Sequence, residues 1–218
     1  MKFKKLTILI LATIFFSSSL LANSNKFVFN GLKLGDSLLK NYDKLEIEPG
    51  TLESLPANKY LYFQELFKEP VEDINAFTAV YKRNDKKYKI QSIILNKAYL
   101  NGETLESCRN EMDDKKNEYI KLLKPDKKII QENLIDLTEQ GKKIWKTTSD
   151  NKHKNIFIPL IGRDQQYYDT LKIECLFFTD DYKKKYGEYD RMVIQLTPHK
   201  VAIILDKQQE NYLNSRSN

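Results

Sequence analysis

What most constrains this chain is a succession of short β-prone runs separated by polar turns and interrupted by one long amphipathic stripe. Residues 77–83 and 88–95 are rich in β-branched and aromatic side chains, and Asn84 and Asp85 lie in the polar gap between them. That pattern reads as a hairpin. Residues 60–67, 156–161, 171–178, 191–196 and 201–205 are further strand candidates, and so is a short run at Phe27 to Phe29. The last two of the longer runs are joined through Pro198, which suits the first central position of a type I turn. Residues 134–138 and 143–148 read as a second hairpin turning at Gln140 and Gly141, with Trp145 in its return strand.

The amphipathic stripe is Leu105, Cys108, Met112, Tyr119 and Leu122/Leu123, which predicts a helix over 104–124. Thr104 suits its N-cap, Glu103 and Glu106 its positive end, and Lys124 with Pro125 its close. Glu111 and Lys115 stand at i,i+4 on a charged face. Leu38, Leu39, Tyr42 and Leu45 predict a shorter helix behind Asp36 or Ser37, and a short polar helix from Asp206 closes the chain. Residues 48–59 and 125–133 read as loops. Strands that follow one another through short turns pair antiparallel, and so few helices cannot cover a sheet in βαβ fashion. The expected class is α+β: an antiparallel sheet with one long helix packed on a face and one or two short helices.

The first residues carry a different signal. Lys2, Lys4 and Lys5 precede an apolar run from Leu6 to Phe16, then Ser17 to Ser19 and small residues around Ala22 to Ser24. This order is that of a secretory signal peptide over 1–24, cleaved after Ser24 or after Ala22. The apolar run falls short of the roughly 20 residues that span a bilayer, so no transmembrane span is expected after cleavage. The organisation expected is a leader followed by one domain over 25–218, located in the periplasm or secreted.

The chain holds 36 basic residues against 30 acids. Three of the lysines leave with the leader and no acid does, so the remainder carries about +3. A charge that small and dispersed excludes a nucleic-acid footprint. Cys108 and Cys175 are the only two cysteines. Both fall in the exported portion, and each sits on an apolar face, Cys175 beside Leu171, Ile173 and Phe177 by strand alternation. An oxidising compartment then predicts a Cys108–Cys175 disulfide.

No G-x-S-x-G, H-E-x-x-H, P-loop, G-x-G-x-x-G or C-x-x-C pattern occurs. His153 reads as part of a solvated turn and His199 as part of the Pro198 turn, with no ligand-spaced partner for either. The acidic pairs Asp113–Asp114 and Asp180–Asp181 read as an exposed helix face and a polar loop. Tyr182 to Arg191 is an aromatic-basic stretch that suits a loop packed on a sheet edge, or a surface for an anionic or carbohydrate ligand. No catalytic, metal or cofactor-binding residue is assigned, and no cofactor is expected.

The run from Gly31 to Leu38, with the hairpin from Tyr81 to Ile93, resembles small, uncharacterised exported proteins of streamlined marine alphaproteobacteria. The resemblance implies architecture and no active site. The functional expectation is a non-enzymatic envelope protein binding a protein or small-molecule partner. The alternative is a periplasmic enzyme using carboxylate or Tyr/Lys chemistry.

Overall fold

The structure is a computed structural model that describes residues 24–52, 59–100, 102–125, 127–146, 152–161, 168–205 and 207. The leader expected over 1–24 lies outside the described residues except for Ser24. Eight strands form one sheet: β1 (Thr51–Leu52), β2 (Tyr60–Val71), β3 (Ile74–Lys82), β4 (Ile90–Ala98), β5 (Gln131–Asp136), β6 (Lys152–Ile161), β7 (Tyr168–Leu176) and β8 (Arg191–Pro198). Their order is β1-β2-β3-β4-β8-β7-β6-β5, and every pairing is antiparallel. Two four-stranded meanders therefore meet at β4 and β8. The α+β class and the antiparallel sheet are as the strand pattern implied.

The β3–β4 hairpin forms where the sequence places it. Asp85 holds its turn, accepting from the backbone N–H of Lys87 and Lys89. The β2–β3 turn at Glu72 and Asp73 carries no glycine, although both residues take positive φ, 51° and 68°. That pair of angles is the twist-matched two-residue hairpin turn, and it lets β2 run on to Val71 rather than stop at Phe67.

Leaving β4 in mid-sheet and returning at the far edge in β5, the chain must cross one face, and it does so as a helix (Leu105–Leu123). Four shorter helices flank it: α1 (Lys44–Ile47), α3 (Glu139–Ile144), α4 (Asp180–Tyr186) and α5 (199–205), so the long one is α2. The expected one or two short helices become four. Thr104 and Ser107 cap α2 reciprocally, and Lys124 ends it in the left-handed region at φ 51°. Cys108, Met112, Tyr119 and Leu123 are buried against β6, β7 and β8. Glu111 is stabilised by the charge of Lys115 but makes its hydrogen bonds elsewhere. It reaches β4 instead, where Lys97 Nζ donates to it at 2.5 Å and the Tyr99 hydroxyl at 2.7 Å, while Lys115 pairs with Glu118.

Strand alternation sorts the sheet into two faces. Ile90, Ile93, Leu95, Ile156, Ile158, Leu160, Leu171, Ile173, Cys175, Met192, Ile194 and Leu196 belong to the core under α2. On the opposite face α5 seats Val201 and Leu205 against Tyr60 and Val80.

Several local expectations are corrected. Residues 201–205 form a helix, not a strand, because Val201 and Leu205 stand one turn apart and are buried while Ile203 is exposed. The hairpin expected over 134–148 does not form among its described residues, 134–146. Thr138 accepts from the Gly141 N–H and starts α3, and β5 pairs with β6 instead. Residues 125–133 hold a 3-10 turn (Lys127–Ile129) and the start of β5 rather than a plain loop. The helix expected from Leu38 to Leu45 is broken into a 3-10 turn (Leu38–Lys40), capped by Ser37, and α1, restarted by Asp43 through a capping box with Glu46. Leu39 and Leu45 are consequently exposed. Phe27 to Phe29 is not a strand. Phe29 makes one bridge to Leu32 around Asn30 and Gly31, both at positive φ. Asp206 lies outside the described residues.

Candidate functional site

On the face opposite α2, β6 and β7 present His153, Asn155 and Phe157 beside Thr170, Lys172 and Glu174, since their neighbours Ile156, Ile158, Leu171 and Ile173 fill the core. Register aligns Asn155, Glu174, Val193 and Asn96 in one row across β6, β7, β8 and β4. All four are buried, with Asn155 5 % and Glu174 9 % exposed. Buried polar groups require partners. Ser92 and Thr197 have theirs: Ser92 donates to the Leu196 carbonyl at 3.1 Å, their hydroxyls meet, and Gln195 Nε2 donates to Thr197 Oγ1 at 2.9 Å.

Glu174 is held by Lys172 Nζ at 2.8 Å and by His153 Nε2 at 3.3 Å. Burial pushes its carboxyl up, but Lys172 and His153 outweigh burial and hold it below the usual carboxylate range. Asn155 is the exception. Its Oδ1 is buried and accepts no hydrogen bond. No protein group among the described residues donates to it, and an acceptor left wholly unmet at that depth costs on the order of 1–3 kcal/mol.

An aromatic array flanks this row. Trp145 makes an isolated bridge to Phe178, braced by the Lys146 N–H donating to the Phe177 carbonyl at 2.7 Å and the Thr179 N–H to the Ile144 carbonyl at 2.9 Å. The Trp145 ring lies 4.8 Å from Phe178 and 6.0 Å from His153, which joins the array to the polar row. Phe178 stacks on Tyr182 at 5.5 Å, and Tyr182 meets Tyr186 at 4.6 Å. Arg191 places its guanidinium 5.1 Å from the Phe178 centroid and 5.0 Å from that of Tyr189, paired with Glu188 at 2.9 Å. The stretch from Tyr182 to Arg191 therefore begins inside α4, capped by Thr179 and ended by Gly187 at φ 69°, rather than as a loop.

A cavity of about 360 Å³ lies on the α2 face, walled by Phe27, Phe29, Leu95, Tyr119 and Ile194. Its charged groups, Glu72, Asp73, Glu118 and Lys115, sit at the rim, where Lys115 and Glu118 pair at 3.0 Å. An apolar wall with a few charged groups, and a volume of this size, give it the character of a small-ligand pocket, here set where α2 meets the sheet.

The structure brings Cys108 and Cys175 to disulfide distance, with Cα atoms 6.2 Å apart. His153 is not in a solvated turn. It pairs with Ile135 within the sheet, and its side chain is 17 % exposed. His199 begins α5, well separated in the chain from His153. Asp113 is not merely solvated on the helix face: Lys154 of β6 donates to it at 3.0 Å and Lys116 at 3.2 Å. Asp180 lies in the first turn of α4, pairs with Lys146 at 2.7 Å and remains 84 % exposed, so the two acidic pairs are not assembled into one site. Among the described residues no three His, Cys, Asp or Glu side chains group as metal ligands. Asn155, Lys172 and Glu174 were missed from the sequence. The signal was the period-2 polar set interleaved with Ile156, Ile158, Leu171 and Ile173. Comparison with protein-family models, with curated proteins and with solved structures gives no match for this chain.

Proposed function

We propose that this is an exported, non-enzymatic protein of the periplasm or the extracellular space that binds its ligand on the polar face of β6, β7 and β8. The polar row itself, with Asn155 and Glu174 retained on a sheet face and joined through His153 to Trp145, carries the reading. A folding core gains from an apolar residue at such a position, whereas a binding surface needs the polar one. The order of the residues from Lys2 to Ser24 and the proximity of Cys108 and Cys175 support export. Among the described residues no helix is long and apolar enough to cross a membrane. The enzymatic alternative finds its best carboxylate, Glu174, already engaged by Lys172 and His153.

Two measurements test this. N-terminal sequencing of protein from an envelope fraction is expected to start after Ala22 or Ser24, and a chain starting at Met1 rejects export. Asn155→Leu, near in volume and apolar, is expected to raise stability by about 1–3 kcal/mol. A loss of stability would assign Asn155 an internal structural role and remove the basis for a ligand site there.

A further inference from the structure

We propose that the cavity between α2, the β2–β3 turn and the segment from Phe27 to Phe29 is a second ligand site, one that takes a small organic cation, an ammonium group on a compact apolar body. It lies on the α2 face of the sheet, opposite the polar row, and is independent of the reading given for that row.

The fold builds this cavity from three places. Lys115, Glu118, Tyr119 and Leu122 stand at i, i+3, i+4 and i+7, so one stripe of α2 forms a wall. Phe27 packs its ring 5.5 Å from that of Tyr119, and Phe29 stacks on Phe77 at 5.8 Å, which fixes the entering chain as a second wall. The third is the turn where Glu72 and Asp73, both exposed and at positive φ, join β2 to β3. Leu95 and Ile194 of the sheet close the floor. The volume of about 360 Å³ falls at the small end of the roughly 300–1,000 Å³ range of ligand pockets.

Charge selects the ligand. Three carboxylates, those of Glu72, Asp73 and Glu118, share the mouth with a single ammonium, that of Lys115, which Glu118 already engages at 3.0 Å. Among the described residues no ion pair holds Glu72 or Asp73. Burial raises the pKa of the Tyr119 hydroxyl, and the charges of Glu118 and Glu72, one from the helix and one from the turn, raise it further. The negative potential therefore converges at the mouth instead of spreading over the surface. That hydroxyl has no hydrogen-bond partner among the described residues, and its oxygen is not sealed in the core.

An anion would meet this potential with only an engaged lysine to answer it. A neutral apolar molecule would cover the floor and gain nothing from the carboxylates. A calcium ion needs roughly six to eight oxygen ligands, and among the described residues no three acids group to hold a metal. A cation with an apolar body uses both parts of the site. Its carbon lies against Leu95 and Ile194 and its charge beside the acids, with the Phe27 and Tyr119 rings offering the negative faces of their π-systems.

Full-length mature protein is titrated by isothermal calorimetry with hexylammonium and hexyltrimethylammonium, and with hexanol, hexanoate and calcium as counter-probes. At least one of the two cations is expected to bind saturably at roughly millimolar concentration or below, and about tenfold or more tighter than hexanol. The double variant Glu72→Gln/Asp73→Asn changes exposed side chains only, and is expected to weaken the cation about fivefold or more while leaving hexanol unchanged. Leu122→Lys, at a position also exposed, sets a competing ammonium at the mouth and should abolish cation binding. Asn155→Leu, across the sheet, should leave it unaltered, so this site and the polar row stand or fall separately. The proposal is overturned if neither cation binds, if hexanol or hexanoate binds as tightly as the better cation, if calcium alone binds, or if both mouth variants leave cation binding unchanged.

Discussion

Cys108 of α2 and Cys175 of β7 meet sulfur to sulfur in the core across 67 residues of chain, with Cα atoms 6.2 Å apart. A bond there ties the helix that crosses the sheet to the meander it crosses onto. In the chain-entropy account, a loop of that length stabilises the fold by on the order of 4 kcal/mol. Non-reduced digests of protein isolated without reductant are expected to contain the two peptides joined, and the double variant Cys108→Ala/Cys175→Ala to lose stability on that scale. Free, alkylatable thiols on both peptides would instead establish a buried reduced pair.

Met112 lies one turn beyond Cys108 and is fully buried. Truncation to alanine removes its contacts and leaves a gap between α2 and the sheet, at a cost of about 2–5 kcal/mol. Met112→Asp buries an unpaired charge and is expected to prevent folding at ordinary temperature. Urea denaturation of the alanine variant checks the first value. An unchanged midpoint would place this stripe in solvent.

The parts legible in the sequence were those where local chemistry and tertiary packing agree. Thr104 and Lys124 bound α2 because capping is a local property, and Asn84 and Asp85 mark a hairpin because Asp85 supplies the turn's hydrogen bonds itself. Where packing decides, the sequence misleads. Val201 to Leu205 is a run of apolar residues too short for its period to separate strand from helix, and the separation comes from Tyr60 and Val80 beneath Val201 and Leu205. Glu72 carries no composition signal for positive φ and Asp73 only a weak one, so the turn that lengthens β2 and β3 is easily passed over in advance. The candidate site was hidden for a related reason. His153, Asn155, Lys172 and Glu174 alternate with core residues as a solvated face would, and only burial distinguishes the two.

The helix at 199–205 covers β2, β3 and β4 on the face opposite α2, and Val201 is its anchor. Val201→Asp is expected to detach it at a cost of about 1.5–3 kcal/mol, with the rest of the sheet intact. Hydrogen exchange should then show lost protection over 199–205 and retained protection in β7 and β8. Loss of protection throughout would make this helix part of the cooperative core.

The pairing of Glu174 sets a direction for acid sensitivity. Lys172 and His153 hold the buried carboxyl below its ordinary value despite burial, so the folded state binds that proton less readily than the unfolded chain does. The resulting stabilisation is complete above the ordinary glutamate value of about 4.3. It is lost as pH falls through the lower value of the folded state, where the carboxylate gives up its charge and the half-buried Lys172 is left beside a neutral group. Glu174→Gln removes this dependence. At neutral pH it is expected to cost on the order of 1–3 kcal/mol, because the ammonium loses its counter-charge. Below pH ~4, however, it should lose less additional stability than the parent chain does. Urea midpoints measured from neutral pH down into the acid range compare the two slopes. Parallel curves would mean that Glu174 titrates alike in the folded and unfolded states and that its pairing with Lys172 is not maintained in solution.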